Sequence, residues 1–178
     1  MLKREAYKFR LKLNHQQTAQ CVTYAGCARF VWNKALALNK FRLENKHTIL
    51  RYQELDFWTK LWKQSEDYGF LKCCPSQILQ QKLRDLDKAF SDCFNKTSAK
   101  RFPRFKKKGE QDSVRFPQGF KLKGKQVFLP KLGWLRMRAS KEVLGTLKNI
   151  TLSRQGQHWF VALQTEREVN NPYILPIP

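Results

Sequence analysis

Acidic residues are scarce in this chain of 178 residues, in which 14 Asp and Glu stand against 35 Lys and Arg and leave a formal net charge of +21. Disordered basic tails are poor in aromatic residues, whereas 13% of this chain is aromatic and 42% is hydrophobic. The chain can therefore bury a core and still carry a strongly positive surface. Such a surface needs a polyanion as its partner, and nucleic acid is the first class to consider.

Long apolar runs are missing as well. No stretch approaches the roughly 18 consecutive apolar residues that a membrane span requires, and the first residues do not resemble a signal peptide. Binding to an anionic membrane surface is a weaker alternative, because no long basic amphipathic helix stands alone in the sequence.

Metal-ligating patterns are also lacking. The three His are scattered, no Cys-x-x-Cys occurs, and the number of Cys is odd. We therefore expect no metal site, no disulfide framework and a reducing cytoplasm, with the thiols acting as small core residues. These thiols belong to Cys21, Cys27, Cys73, Cys74 and Cys93.

The most informative stretch is residues 102–134, where cations alternate with aromatic and apolar residues. Between residues 95 and 141 there are fifteen Lys or Arg but only two carboxylates, Glu110 and Asp112. Aromatic side chains offer faces on which bases can stack, and the cations can bind phosphates. This stretch therefore predicts contact with nucleic acid.

The first half of the chain predicts one strand followed by helices. Residues 7–13 alternate between apolar and cationic, which predicts a strand with one cationic face. Asn14 is a plausible helix cap with Gln17 three residues later. From residue 15 to about 45 the apolar spacing is helical, and Gly26 predicts a break into two helices with a helix-turn-helix appearance.

Two more helices are expected before residue 95. One covers residues 52–64, and the other follows a cap at Ser76 with Leu79, Leu83, Leu86, Phe90 and Cys93 on its buried stripe. Together these segments predict a helical bundle.

After residue 95 the period changes to that of short strands. They are predicted at 114–116, 120–122, 126–129, 132–137, 150–152 and 159–164, with hairpin turns at 124–125 and 154–157. Because the first strand needs partners from this region, we expect a split β-barrel with the bundle inserted after its first strand. Trp134 and Trp159 are predicted to pack in the core.

Five fragments occur in an order that resembles a known family. They are ARFVWNKAL at 28–36, FPRF at 102–105, LPKLGW at 129–134, LKNITLSR at 147–154 and WFV at 159–161. Together with the basic first strand they resemble the amino-terminal half of the OrfB/TnpB proteins of insertion sequences, which are compact RNA-guided nucleases related to type V CRISPR effectors.

The resemblance implies an α+β fold in which a wedge-type, OB-like split β-barrel contains an inserted helical recognition domain. It implies a first barrel strand at 1–13, the recognition domain at 14–100, the rest of the barrel at 101–170 and a proline-rich linker at 171–178. The partners implied are a guide-type structured RNA and duplex DNA carrying a short target-adjacent motif. The implied location is the prokaryotic cytoplasm, associated with the nucleoid.

The same resemblance implies that the RuvC-like nuclease domain, with its Mg and Zn, lies beyond the linker, so that this chain has no cofactor and does not cut. The residues agree with that expectation. A RuvC-like site needs three carboxylates that hold divalent metal ions, whereas the candidates here lie on charged helix faces or flank Arg167. We interpret them as solvated surface carboxylates. They are Asp85, Asp87, Glu166 and Glu168.

Candidate site residues fall into two groups. By position in the resemblance, a DNA-reading surface would comprise Tyr52, Gln77, Gln80, Arg84 and Gln118, although Gln77 replaces an expected aromatic. A Gln or Arg side chain can make two hydrogen bonds to one base edge. The alternative for Gln77 and Gln80 is an ordinary polar helix face. RNA or phosphate contacts are predicted for Lys8, Arg10, Lys12, Arg29, Asn33, Lys34, Arg101, Arg104, Lys106, Lys107 and Lys108. Arg29, Asn33 and Lys34 lie about one helical turn apart and can present one polar edge, for which the alternative is an ordinary solvated face. A solvated face is also the alternative for the lysine run at 106–108.

The leading interpretation is the nucleic-acid-binding part of a TnpB-like transposon protein without its catalytic half. One alternative is a sequence-specific DNA-binding repressor that uses the two-helix unit alone. Another is the amino-terminal fragment of an active RNA-guided DNA endonuclease or transposase. A decayed gene product with no selected role is a further alternative.

Overall fold

The computed structural model describes residues 1–110 and 112–170, so the predicted linker at 171–178 lies outside the described residues. The fold is α+β, and its helices lie between the first strand and all the others in chain order. The elements are β1 (Leu2–Lys12), α1 (His15–Glu44), α2 (Tyr52–Gln64), a short 3-10 helix (Gly69–Cys73), α3 (Ser76–Phe94), β2 (Ser113–Phe116), β3 (Lys121–Lys123), β4 (Gln126–Leu129), β5 (Gly133–Met137), β6 (Thr146–Gln155) and β7 (His158–Glu168).

Helix α1 is one unbroken helix of 30 residues, so the predicted break at Gly26 is wrong. A glycine inside a helix costs only about 0.5–1 kcal/mol relative to alanine, and a continuous buried stripe runs past it on both sides. The predicted capping box is confirmed: Asn14 and Gln17 exchange hydrogen bonds of 2.8 and 3.1 Å between side chain and backbone. The buried stripe comprises Cys21, Tyr24, Ala25, Cys27, Ala28, Val31, Trp32, Ala35, Leu36 and Asn39.

Helices α2 and α3 match their predicted spans, but the cap of α3 differs from the prediction. Pro75 is the residue that precedes the helix, and Ser76 makes no capping hydrogen bond. Its hydroxyl instead accepts a hydrogen bond from Lys63 at 3.1 Å. Pro75 has a φ of −54° but an extended ψ of 130°, so the helical conformation begins only at Ser76.

The seven strands form one antiparallel sheet in the order β2-β6-β7-β1-β5-β4-β3. Strand β1 lies in the middle and divides its pairing: residues 2–10 pair with β7, and Leu11 and Lys12 pair with β5. The first strand therefore does depend on partners from the carboxyl-terminal half of the chain. Strands β6 and β7 are longer than predicted because their pairing continues through charged and polar residues.

The predicted barrel is not closed among the described residues. Strands β2 and β3 are the edges of the sheet and do not pair with each other. They are only four and three residues long, which leaves few backbone groups with which an edge could close. The described strands therefore form an open sheet.

One hydrophobic core joins the helices to one face of the sheet, through alternate residues such as Phe9, Leu135 and Val161. Trp159 is buried as predicted, but Trp134 is 41% exposed, so its assignment to the core is wrong. Its position in β5 alternates with buried Leu135 and Met137, which places Trp134 on the solvent face.

The cysteines divide between core and surface. Cys21, Cys27 and Cys74 are buried, whereas Cys73 is exposed and Cys93 half-buried, and all five thiols are free. The prediction that they are core residues is therefore wrong for Cys73, because the short 3-10 helix turns that side chain outward. None of the described helices is long and apolar enough to cross a membrane.

The four carboxylates interpreted as surface residues are all ion-paired. Asp85 contacts Arg115, Asp87 contacts Arg51, and Glu166 contacts both Arg4 and Lys148. Glu168 contacts the amino terminus of the chain.

Candidate nucleic-acid interface

Residues 101–108, called here the basic segment, are attached to α1 by three hydrogen bonds. Each bond joins a side chain of α1 to the backbone of the basic segment. The indole N–H of Trp32 donates to the carbonyl of Arg104 at 2.8 Å. The amide of Asn33 donates to the carbonyl of Lys106 at 2.9 Å and accepts from the N–H of Lys106 at 2.8 Å. The basic segment has neither helical nor strand structure, so these bonds fix its path across the helix.

The cations of the basic segment keep their charge uncompensated. Arg101, Arg104, Lys107 and Lys108 are exposed, and none of the ion pairs among the described residues involves the basic segment. Lys106 is half-buried, with its ammonium 4.4 Å from the centre of the Trp32 ring. The exposed cations are therefore free to meet phosphate oxygens.

Two aromatic side chains of the basic segment are partly anchored to the helices. The ring of Phe102 meets Phe90 of α3 edge to face at 5.4 Å. Phe105 is 49% exposed, and the ammonium of Lys40 lies 5.9 Å from the centre of its ring. The segment thus presents cations and aromatic faces from a fixed position.

The predicted edge formed by Arg29, Asn33 and Lys34 is brought together, but each side chain already has a partner within the protein. Arg29 forms an ion pair of 2.9 Å with the buried carboxylate of Asp112. Lys34 lies over the rings of Trp62 and Tyr68, 5.0 and 4.4 Å from their centres.

The same three residues line an open cavity of about 520 Å³ beside Gly26, Phe30 and Phe70. Lys34 has no carboxylate partner among the described ion pairs, so its ammonium can still attract an anion at this cavity. The nucleic-acid role of the three residues stays a prediction.

The five residues predicted to read DNA lie around one face of α3. Gln77, Gln80 and Arg84 are spaced three and four residues apart, which places them on the same side of the helix. The guanidinium of Arg84 stacks 3.9 Å above the ring of Tyr52. The N–H of Gln118 donates to the side-chain oxygen of Gln77 at 3.3 Å. The structure therefore assembles this group from α2, α3 and the loop after β2.

The cations of β1 lie on the solvent face of the sheet, as the alternation predicts. Lys8 lies 5.1 Å from the centre of the Phe160 ring, and Arg10 makes a hydrogen bond of 2.7 Å to His158. Lys12 is exposed and lies directly opposite Arg136 of β5. This basic face is separate in sequence from the basic segment.

Lys82 was not among the residues predicted from the sequence. It lies on the buried face of the amphipathic helix α3. Its ammonium donates to the carbonyl of Ser113 at 3.1 Å. Burial, reinforced by the charge of Lys106, lowers the pKa of Lys82 to about 8. Its spacing from Leu79 and Leu86, by three and four residues, was the available signal that it faces inward.

A family model of the OrfB type, described as "Helix-turn-helix domain", matches residues 1–47. The chain is 42% identical over 174 residues to "Putative RNA-guided DNA endonuclease InsQ" of Escherichia coli (strain K12), covering 97% of this chain and 43% of that protein. The chain belongs to the OrfB/TnpB family of insertion-sequence proteins.

Two further proteins are similar to this OrfB/TnpB chain. "Putative RNA-guided DNA endonuclease" of Streptomyces pristinaespiralis is 30% identical over 169 residues, covering 92% of this chain and 42% of that protein. "Virulence protein VsdF" of Salmonella dublin is 34% identical over 91 residues, covering 47% of this chain and 76% of that protein. The chain spans about two fifths of the length of the two proteins named as endonucleases, and it corresponds to their amino-terminal half.

The residues matched by the helix-turn-helix model fold here as β1 followed by one continuous helix. The chain leaves α1 through Lys46, whose φ of 59° is left-handed, before α2 begins. Within residues 1–110 and 112–170, no three His, Cys, Asp or Glu side chains are grouped as a metal site would require.

Proposed function

We propose that this chain is the nucleic-acid-binding portion of a TnpB-like protein, which holds a guide-type RNA and reads a short motif beside a DNA target. The observation that carries the proposal is the basic segment, whose uncompensated cations are held on α1 by Trp32 and Asn33. A fixed row of cations lowers the entropy that is lost when phosphates bind, compared with a mobile basic tail.

The RNA would lie along the basic segment and be held mainly through its phosphates. Arg101, Arg104, Lys107 and Lys108 supply the exposed charge, and Phe105 supplies an exposed ring for stacking. Contacts of this kind recognise the shape and charge of a strand and carry little sequence information. Sequence would enter through the RNA itself.

The DNA motif would be read by Tyr52, Gln77, Gln80, Arg84 and Gln118, called here the α3 group. Gln80 and Arg84 point from the same side of α3, and stacking on Tyr52 orients the guanidinium of Arg84. Gln77 and Gln118 fix the adjacent loop through their hydrogen bond. Side-chain amides and guanidinium groups are the donors and acceptors that discriminate base edges in the major groove.

In domain terms, we propose that the open sheet is the split wedge of the family, with residues 1–13 and 101–170 on either side of a helical recognition domain at 14–100. DNA cleavage by longer family members would depend on a RuvC-like domain, to which Mg and Zn would belong. These 178 residues alone would not cut DNA. The two-helix repressor is disfavoured, because α1 has no break at Gly26.

The test is to purify the chain from cells that contain its insertion sequence, extract the bound RNA and sequence it. We expect one structured RNA from an end of the element to be enriched far above total cellular RNA. A matched preparation carries Lys107→Glu and Lys108→Glu and should lose that RNA. Recovery of random cellular RNA by both proteins would contradict the proposal, and so would Mg-dependent cleavage that survives repurification.

A further inference from the structure

A second cluster of cations and aromatic rings lies on the solvent face of β3, β4 and β5. Lys121, Phe128 and Trp134 are directly opposite one another across these three strands. Directly opposed residues of antiparallel strands project from the same face of a sheet. The rings of Phe128 and Trp134 meet edge to face at 5.6 Å, and the ammonium of Lys121 lies 5.5 Å from the centre of the Phe128 ring.

A row of polar and basic residues runs beside this aromatic row, two residues further along the strands. Lys123 is opposite Gln126, Gln126 is opposite Arg136, and Arg136 is opposite Lys12 of β1. Two residues along a strand are separated by about 7 Å, a distance that one nucleotide bridges between its base and its phosphate. The aromatic row and the cationic row therefore match the two parts of a nucleotide.

The charge around Trp134 is uncompensated. Every charged residue from 113 to 141 is Lys or Arg. None of the described ion pairs includes Lys12, Lys121, Lys131 or Arg136. An anionic ligand is therefore the occupant that this surface favours.

Trp134 also borders open space. A cavity of about 540 Å³ is lined by Trp134, Lys12, Gln126 and Arg136, together with residues at the start of α1. A second cavity of about 430 Å³ shares Asn14 and Gln17 with the first and reaches Phe128 and Lys131.

The backbone around Trp134 is held rigidly. The side chain of Gln17 accepts a hydrogen bond from the N–H of Asn14 in the capping box of α1, and its amide donates to the carbonyl of Trp134 at 3.2 Å. Gln20 donates to the carbonyl of Lys131 at 3.2 Å. Lys131 itself has a φ of 64°. This left-handed conformation is uncommon for any residue other than glycine.

We propose that Trp134 is a stacking platform for an unpaired nucleobase, whose neighbouring phosphates are bound by Lys12, Lys131 and Arg136. This inference rests on the proposed function, because it assigns a further contact to a nucleic acid bound by the chain. The surface is continuous with the cationic residues of β1, because Lys12 is opposite Arg136. It binds the unpaired part of a strand, because a base in a duplex has both faces already stacked.

The test compares Trp134→Ala and Trp134→Phe with the control Trp58→Ala. Trp58 of α2 is also 41% exposed, so the control removes an equally accessible indole elsewhere. The probes are a 12-nucleotide oligo-U RNA, the matching single-stranded oligo-dT and a blunt-ended RNA duplex of equal length. Loss of one base–aromatic stack weakens binding by roughly fivefold to 150-fold.

We expect Trp134→Ala to weaken binding of a single strand at least fivefold and of the duplex less than twofold, with Trp134→Phe intermediate and Trp58→Ala unchanged. A loss confined to the RNA strand assigns the platform to RNA, a loss confined to the DNA strand assigns it to DNA, and equal losses show stacking without selection for the sugar. Equal losses on strand and duplex, or no loss by Trp134→Ala, overturn the inference. If the parent chain binds none of the probes, the inference is overturned, whereas the proposed function fails only if no structured RNA is recovered with the chain from cells.

A second measurement avoids any effect of substitution on folding. The unaltered chain is crosslinked by light to oligo-U in which 4-thiouridine replaces uridine, and trypsin releases residues 132–136 as the peptide that contains Trp134. We expect a crosslink on this peptide. Crosslinks confined to residues 101–108 would overturn the inference and leave the proposed function standing.

Discussion

The side chain of Asn33 forms two hydrogen bonds with the backbone of Lys106, at 2.9 and 2.8 Å, across 73 residues of sequence. Asn33 is thus the residue that positions the basic segment on α1. Asn39, six residues later on the same helix, makes an equivalent pair of bonds to Leu50 at 3.1 and 2.7 Å. Helix α1 therefore fixes two segments in the same way, the basic segment through Asn33 and the loop between α1 and α2 through Asn39.

Replacing Asn33 with Leu should release the basic segment without changing its charge. Each partly buried hydrogen bond contributes about 0.5–1.5 kcal/mol, so loss of both should speed hydrogen exchange at the Lys106 amide by roughly fivefold to 150-fold. RNA affinity should fall as well, because the cations are no longer held in position. The measurements are hydrogen exchange and equilibrium binding of RNA.

Asn39→Leu is the matched control for this variant. It removes the same two kinds of bond, and it should speed exchange at Leu50 while leaving RNA affinity unchanged. If both variants weaken RNA binding equally, general destabilisation is the cause, and Asn33 has no special role in positioning the basic segment.

Neutralising Lys107 and Lys108 together should flatten the salt dependence of RNA binding. Each lysine that meets a phosphate of a single strand contributes about 0.7 to the slope of log affinity against log salt, so the double alanine variant should reduce the slope by about 1.4. The control is Lys60→Ala with Lys88→Ala, since both lysines pair with a carboxylate one helical turn away. Equal slopes for the parent and the Lys107 and Lys108 variant would place the RNA elsewhere.

Gln80→Ala and Arg84→Ala should relax DNA sequence preference more than they weaken RNA binding. A bidentate contact to a base edge contributes about 1–3 kcal/mol of discrimination, or roughly fivefold to 150-fold. The measurement is binding to duplexes with randomised target-adjacent bases. Gln81→Ala is the control, because Gln81 bonds to Asp85 at 3.0 Å on the same helix.

Arg84→Lys refines that test. It keeps the charge but loses the planar fork that contacts a base edge and stacks on Tyr52. We expect this variant to keep most of its DNA affinity and lose its preference. A variant that loses affinity equally for all duplexes would show that Arg84 binds phosphate and does not read bases.

The sequence predicts local structure well where one signal dominates. The capping box at Asn14, the span of α2 and the turn at residues 124–125 follow from short-range chemistry. The helix break predicted at Gly26 was wrong, because the small cost of a glycine inside a helix is outweighed by the burial of α1 on both sides of it. That burial depends on tertiary packing, which the local sequence does not show.

Site geometry was less accessible from sequence. The alternation that places Trp134 on a strand does not by itself say which face of the strand is buried, and the register with β4 decides that. Likewise, Arg29 and Asn33 are polar residues one helical turn apart, and nothing local shows that their partners are Asp112 and Lys106. Long-range pairs of this kind become visible only when the chain is folded.

Lys82 provides a prediction about pH. Its pKa is lowered from 10.5 to about 8 in the folded chain by burial and by Lys106, with Arg115 acting in the same direction and Asp85 and Asp112 opposing it. Between pH 8 and pH 10.5, Lys82 is therefore protonated in the unfolded chain and largely deprotonated in the folded chain. The free energy of unfolding therefore rises with pH across this window, by an amount on the order of 3 kcal/mol. Below pH 8 the charged lysine is buried at its full cost.

Lys82→Met removes this titration while keeping a long apolar side chain on α3. The difference in unfolding free energy between parent and variant should therefore shift in favour of the parent as pH rises from 8 to 10.5, because all other titrating groups are common to both proteins. Urea denaturation at intervals of half a pH unit measures it. Lys88→Met, which removes an exposed lysine from the same helix, should give a difference that stays flat over the window. A flat difference for Lys82→Met as well would mean that its ammonium is solvated in the folded chain, and that α3 and β2 pack less tightly around it than the 3.1 Å bond to Ser113 indicates.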